Sequence, residues 1–433
     1  MNYSNFEAKR NYKHDKPFVL RHLRMIVLSV VVTILVASPL AYLHTLNRDR
    51  DIRRHSEFLQ DFEYLINALE ENFPLFDIIA ERHGTDMKML GQELLDYIAN
   101  EGDEMTYRAF SRLIRNNFFG RAGNAGNLGI LGFHCKEIEV ALLSRDWQGN
   151  TNRILRYTGL LKNARFHSAL FEIPITREVS GEWWTPAWIQ TEILEEERIA
   201  YISFSILPVF IDQREIGVID AFYREIEHFE HLIIDLRDVE GRNSHFFHHV
   251  IAGPLIQGPP LEESFRHFYL DGEHNRMYFS DIPGLESSRT DTTVLALLNT
   301  KGNVFFDSGS MDYYFVETHT VFPRNPGINF NGRIWMLIDG NTRNGGQQIA
   351  SIYKNTGFAT LVGETTGGSF GYPLPWGPNY FVLPHTGFVI RYNPTLAVDS
   401  RGRPLELGTE PHYFNRPGLD ALETVLYLIN LLR

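Results

Sequence analysis

Two stretches decide the fold: HLIIDLRDVEG at 231–241 and GRIWMLIDGNTRNGG at 332–346. Each opens on a short apolar run, LIIDL at 232–236 and IWMLID at 334–339, and each then enters a polar, glycine-bearing turn. Runs of that length without polar alternation read as strands covered on both faces. Working outward, IAYISFSIL (199–207) precedes the first run, and an amphipathic helical pattern covers about 216–229. A second helix is expected from about Gly346 to Asn355, with TLVG (360–363) as the next strand. Strands alternating with helices predict an α/β core with a parallel sheet, whose functional loops lie at strand ends.

The composition narrows the function classes. The chain has 433 residues, of which 43% are hydrophobic and 13% aromatic, enough for a real core and for two or three units. Lys and Arg number 41 against 53 Asp and Glu, a formal charge of −12, which disfavours nucleic-acid phosphates as partners. The single cysteine, Cys135, excludes an internal disulfide framework and a multi-cysteine metal site.

Ile26–Leu43 reads IVLSVVVTILVASPLAYL without a charge, close to the roughly 20 residues that span hydrocarbon. The segment before it carries six cations (Lys9, Arg10, Lys13, Lys16, Arg21, Arg24) against Glu7 and Asp15. By the positive-inside rule the expectation is a cytoplasmic tail (1–24), one transmembrane helix (25–45) and everything after it outside the cytoplasm. The protein would then be a single-pass cell-membrane protein. A cleaved signal peptide or a buried core helix is the competing reading of this segment.

A charged linker (46–55) leads to a helical domain at 56–135. Ser56 is the expected N-cap, with Phe58, Phe62, Leu65, Ile66, Leu69 and Phe73 on one face and Pro74 as the stop. Further helical patterns run over 86–99 and 106–118, before a glycine-rich stretch at 120–132. A mixed segment (136–195) contains the strand-like pieces IEVALL and LFEIPI, and the α/β core occupies 196–433.

The order of these motifs resembles the tail-specific, or carboxy-terminal-processing, serine peptidases, the family of the tricorn core. The two deciding stretches are similar to that family's strand and loop and to its strand-to-nucleophile turn. ATLVGETTGG (359–368) is similar to the following strand and glycine loop, and TGFVIRYNPTLAVDSRGRPLELGTEP (386–411) to the terminal hairpin and its close. The resemblance implies a crotonase-like or ClpP-like core of ββα units behind an N-terminal helical domain and one transmembrane helix. No inserted PDZ domain is evident, because 137–195 is too short for one of about 80–100 residues.

The same resemblance implies a serine nucleophile, a histidine base and an oxyanion hole of backbone NH groups. At the nucleophile position this chain has Asn344, in Thr342-Arg343-Asn344-Gly345-Gly346-Gln347, and at the base position it has Asn127, in Ala125-Gly126-Asn127-Leu128-Gly129. A carboxamide nitrogen is not a nucleophile that a neighbouring base can activate, and asparagine does not shuttle a proton near pH 7. The lysine of the family's Ser-Lys variants would fall at Ser369. Glu406 matches the acid that orders the family site. Gly241, Gly345 and Arg237 are the implied binding residues, although Asp238, Val239 and Glu240 depart from the family's oxyanion loop.

If these motifs were displaced, Ser351 or His134 would be the nearest serine and histidine. The triplet His245, His248 and His249 has helical zinc-ligand spacing but no acidic partner, and reads as structural. Tyr313, Tyr314, Phe315, Trp376, Tyr380 and Tyr392 read as core or cleft walls, and no cofactor or metal motif appears. The expectation is therefore a membrane-anchored pseudoenzyme that binds peptides or protein C-termini. The alternatives are a serine peptidase working through unaligned residues, and a structural or signalling module with the helical domain as its partner surface.

Overall fold

The structure is a computed structural model. It describes residues 55–431 except 101–104, 124, 132–158, 161–162, 164–188, 208–212, 240–243, 283, 292–293, 295–310 and 369–376. The expected membrane span at 26–43, the strand-like pieces of the 136–195 segment, His134, Gly241, Ser369 and Trp376 lie outside the described residues. Among the described residues no helix is long and apolar enough to cross a membrane.

Thirteen strands follow in chain order among the described residues. They are β1 (Gly129–Ile130), β2 (Ile189–Glu195), β3 (Ile199–Phe204), β4 (His231–Asp235), β5 (Leu261–Tyr269), β6 (Ser288–Arg289) and β7 (Tyr313–Val321). After these come β8 (Arg333–Ile338), β9 (Thr360–Gly363), β10 (Asn379–Val382), β11 (Val389–Tyr392), β12 (Leu396–Val398) and β13 (Tyr413–Phe414). The central sheet has the order β13-β9-β8-β4-β3-β2, parallel from β13 to β3 and antiparallel at β2. A four-stranded antiparallel sheet (β12-β5-β7-β6) and a three-stranded one (β1-β11-β10) complete the mixed α/β fold.

The unbroken apolar runs have the expected physical cause. Ile234, Met336 and Ile338 face one core with Ile219, Phe222 and Tyr223 of the helix Gln213–Glu225 and with Ile349, Ile352 and Tyr353 of the helix Gly345–Asn355. Their strand neighbours Ile233, Trp335 and Leu337 face a second core closed by Ala421, Val425 and Ile429 of the helix Ala421–Leu431. Successive side chains on a strand point to opposite faces, so a strand covered twice shows no polar alternation.

The N-terminal helices share their core with the C-terminal half. Phe58, Phe62, Leu65, Leu69, Phe110 and Phe118 bury against Phe381, Phe388, Ile390 and Tyr392 of the β10–β11 hairpin. The first helix, His55–Asn72, begins one residue before Ser56, which therefore is not its N-cap. Pro74 interrupts the helical run, and a further helix unforeseen in the sequence, Phe76–His83, starts two residues later and ends at Gly84 in the left-handed region (φ 64°). The helix expected over 106–118 is α-helical only to Arg112, capped by Thr106 Oγ1 on Ala109 N (3.2 Å), and widens to a π-turn at Leu113–Phe118.

A buried carboxylate fastens the first helix to the hairpin. Asp61, fully enclosed, accepts from His385 N (2.8 Å) and Thr386 N (2.7 Å). Asn72, Asn275, Asn379 and Tyr392 form a second tie, in which Tyr392 donates to Asn275 Oδ1 (2.9 Å) and Asn275 Nδ2 donates to Asn72 O (2.8 Å). Replacing Asp61 with Ala leaves two inward-facing NH groups without acceptors. The expected loss is about 2–4 kcal/mol of unfolding free energy, read from urea titration followed by circular dichroism.

Candidate active site

The end of β8 is turned by its own side chains. Asp339 Oδ1 accepts from Asn341 N (3.1 Å) and Thr342 N (2.8 Å), an Asx-type turn. The Thr342 hydroxyl, fully buried, accepts from Asp339 N (3.1 Å) and donates to Leu236 O at the end of β4 (2.9 Å). This brings the chain to Asn344, which has φ 52° and ψ −115° and directly precedes the helix Gly345–Asn355. Few non-glycine residues adopt that conformation. Asn344 N donates to Gly368 O (3.3 Å) and its carbonyl accepts from Gln348 N (3.1 Å).

Space behind the turn is filled closely. A Cβ on Gly346 would lie 3.0 Å from the Thr342 methyl. Gly368 has φ 70°, and a Cβ there would meet Glu406 O at 2.2 Å and Arg82 Nη1 at 2.7 Å, so this loop requires glycine. Gln347 and Gln348 are fully buried. Gln347 donates to Thr409 Oγ1 (3.0 Å) and accepts from the Thr366 hydroxyl, while Gln348 accepts from Ser244 Oγ (2.5 Å) and contacts His319 Nε2 (3.1 Å).

Asn127 lies across the site's chain of contacts, in a 3-10 turn with φ 51°. Its carbonyl accepts from Arg391 Nε (3.0 Å), and its side-chain Nδ2 is buried with no hydrogen-bond partner among the described residues. The preceding Gly126 O accepts from Asn393 N (2.7 Å), and Asn393 Nδ2 reaches Glu406 Oε1 at 3.4 Å. Glu406 is fully buried in the turn Leu405–Leu407. The structure thus links the turns carrying Asn127, Glu406 and Asn344 through Asn393, Arg82 and the Gly367–Gly368 loop.

Arg82 was not legible as a site residue. It lies in the last turn of the unforeseen helix Phe76–His83 and donates to Glu406 O and Gly367 O, both at 2.6 Å. Burial pushes its guanidinium pKa down, Glu406 opposes this, and Arg343 adds to it. Arg237, by contrast, is committed elsewhere. It grips Asp235 (2.7 Å) and reaches Asp420 (3.0 Å), and the hydrogen bonds to Asp235 hold its pKa above the usual arginine value. Gly345 opens the helix and is buried beside Asn344. Ser351 is 1% exposed inside that helix.

The histidines support the helix from behind. His248 Nδ1 meets the buried Tyr353 hydroxyl at 2.7 Å, and His245 and His249 stack ring on ring. Glu317 lies 3.1 Å from His267 and 3.3 Å from His319. A cavity of about 190 Å³ opens at the helix's far end, lined by Lys354, Asp399, Arg401, Arg403 and Thr409 among others. Lys354 is about 14 Å along the axis from Gly345, so this cavity is not at the Asn344 turn.

Residues 198–413 match peptidase family S41. This chain carries a domain that belongs to that family. Among solved structures, a putative peptidase from Parabacteroides merdae is 13% identical with a TM-score of 0.53, over 86% of this chain and 96% of that one. Mature CPAF complexed with lactacystin is 12% identical with a TM-score of 0.52, over 87% and 97%. At such identities the likeness establishes the shared fold. No curated protein matches the chain.

Two titrations behind the helix give an acid-lability prediction. Burial, then the charges of His319 and His245, push His248 down to about 3 from its ordinary 6.5. A histidine kept neutral in the fold contributes fully above pH 6.5 and loses that contribution as pH falls toward about 3. Burial alone would raise Glu317, but hydrogen bonds from His267 and His319 outweigh it and hold the carboxyl at about 2 rather than 4.5, so its contribution fades from pH 4.5 to about 2. His248→Gln, which keeps a hydrogen bond to Tyr353 without titrating, is expected to flatten the fall of the urea midpoint between pH 6.5 and 4.5.

Proposed function

We propose that this protein is a non-hydrolytic member of the S41 peptidase fold that binds peptides or protein C-termini, tethered to the membrane by residues 26–43 with its peptidase-like domain outside the cytoplasm. The observation that carries the reading is the turn at Asn344: a conformation costing roughly 1–3 kcal/mol for a side-chain-bearing residue, held in place with a carboxamide at its apex. Asn344 occupies the nucleophile position and Asn127 the base position, and neither amide performs the proton transfer that acyl transfer needs. Glu406 remains as the orienting acid, and Gly345 offers an NH at the positive end of its helix. Gly241 completes the binding set on the resemblance alone.

The rival peptidase reading needs another serine, and Ser351, one of the two residues it would turn to, is enclosed within a helix and shut off from any peptide.

Fluorophosphonate treatment of the purified protein is expected to leave every serine unlabelled; a stoichiometric adduct would end the inactive reading. Titration calorimetry with a peptide library is expected to find binders, whereas uniform absence of heat would favour the interaction-module alternative. The double change Asn127→His with Asn344→Ser is expected to restore peptidase turnover, each single change falling about 100-fold or more short because base and nucleophile act together.

A further inference from the structure

The geometry points to self-modification at the Asn344–Gly345 peptide: cyclisation of Asn344 to a succinimide and its hydrolysis to aspartate or isoaspartate. Closing that five-membered ring requires Cβ of the asparagine and N of the next residue to eclipse one another about the Cα–C bond. On an L-residue the tetrahedral offset of about 120° between N and Cβ turns ψ −115° into a Cβ–Cα–C–N torsion within about 10° of zero. Helical backbone (ψ about −42°) and extended backbone (ψ about +135°) both hold the two atoms far from eclipse. The strain at this turn is therefore the strain that ring closure would otherwise have to impose.

The following residue is glycine, which puts no side chain in the path of the attacking nitrogen. Gly345 also supplies one of the first NH groups of its helix, which have no intrahelical acceptor, and the positive helix end favours the deprotonated nitrogen. The bonds balance as follows. The Gly345 nitrogen loses its proton and bonds to Asn344 Cγ, the Cγ–Nδ2 bond breaks, and Nδ2 leaves as ammonia with that proton. Water then adds to either ring carbonyl, giving aspartate or its isopeptide isomer. Asn344 is only half-buried, so water reaches it. The carboxylate formed is favoured by the positive end of the helix that Gly345 opens.

This inference stands on the turn alone and does not need the peptide-binding reading. Asn331–Gly332 is an internal control with the same dipeptide, and Asn331 lacks the positive φ of Asn344. The experiment incubates the folded protein and the same chain in concentrated urea at mildly alkaline pH and follows both sites by peptide mass spectrometry. Hydroxylamine, which cleaves the ring, traps the intermediate. The expected result is ammonia loss followed by acid at Asn344, about tenfold faster folded than unfolded, equivalent to about 1.4 kcal/mol of torsional ordering already in place. Acceleration should be absent at Asn331. A folded-state rate at or below the unfolded one, equal acceleration at both sites, or conversion that hydroxylamine never traps would each overturn it.

Discussion

The Thr342 hydroxyl, held between Asp339 N and Leu236 O, ties the ends of β8 and β4 together, and the site is built on that tie. The two strands run parallel and hydrogen-bonded, Leu232 opposite Ile334 and Ile234 opposite Met336, so their carboxyl ends arrive side by side. A chain leaving one of them must reverse into a helix within a few residues. Thr342 and the Asp339 carboxylate impose that reversal, and Asn344 absorbs its conformational cost. Such strain persists only where its surroundings over-determine it. Here the surroundings are Gly368 O on Asn344 N, the Thr342 methyl against Gly346, and the buried glutamine pair one turn on.

Behind the helix the core is unusually polar. Ser244, Gln348, His319, Glu317 and His267 form a polar chain from the helix to β7 and β5, and Gln347 beside it bonds Thr409 and Thr366. Buried polar groups of this kind are costly unless each has a partner, and most of them do. Their directional bonds fix the rotation of the helix about its axis, and so the place of Asn344, more narrowly than hydrophobic contact would. Glu317 in this group and His248 beside the helix make the scaffold sensitive to acid, since the fold holds the carboxyl ionised and the imidazole neutral at pH values where an unfolded chain protonates both.

Membership of a peptidase family says less about reaction than about shape. The fold rests on cores on both sheet faces, and those enclose Ile234, Trp335 and Met336. What chemistry the shape can host depends on a few side chains at strand and helix ends. In this chain those ends carry the Asn127 and Asn344 amides, the buried Glu406 and Arg82.

By itself the sequence determined the alternating strands and helices of the core, to within a few residues, because a strand covered on both faces and a helix covered on one leave periodicities that local pattern reveals. It also determined the identities at 127, 344 and 406. Only the tertiary structure decided that Arg82 joins the Glu406 turn to the Gly367–Gly368 loop, that Arg237 belongs to Asp235 and Asp420, and that the N-terminal helices share a core with β10 and β11. These partners are up to about three hundred residues apart, as Arg82 and Glu406 are. No local spacing encodes such pairs, since they form only when the sheets and helices have already been brought together. The torsion at Asn344 is of the same kind: its residue type was legible, but its ψ is set by β4, β8 and Gly368 acting on it at once.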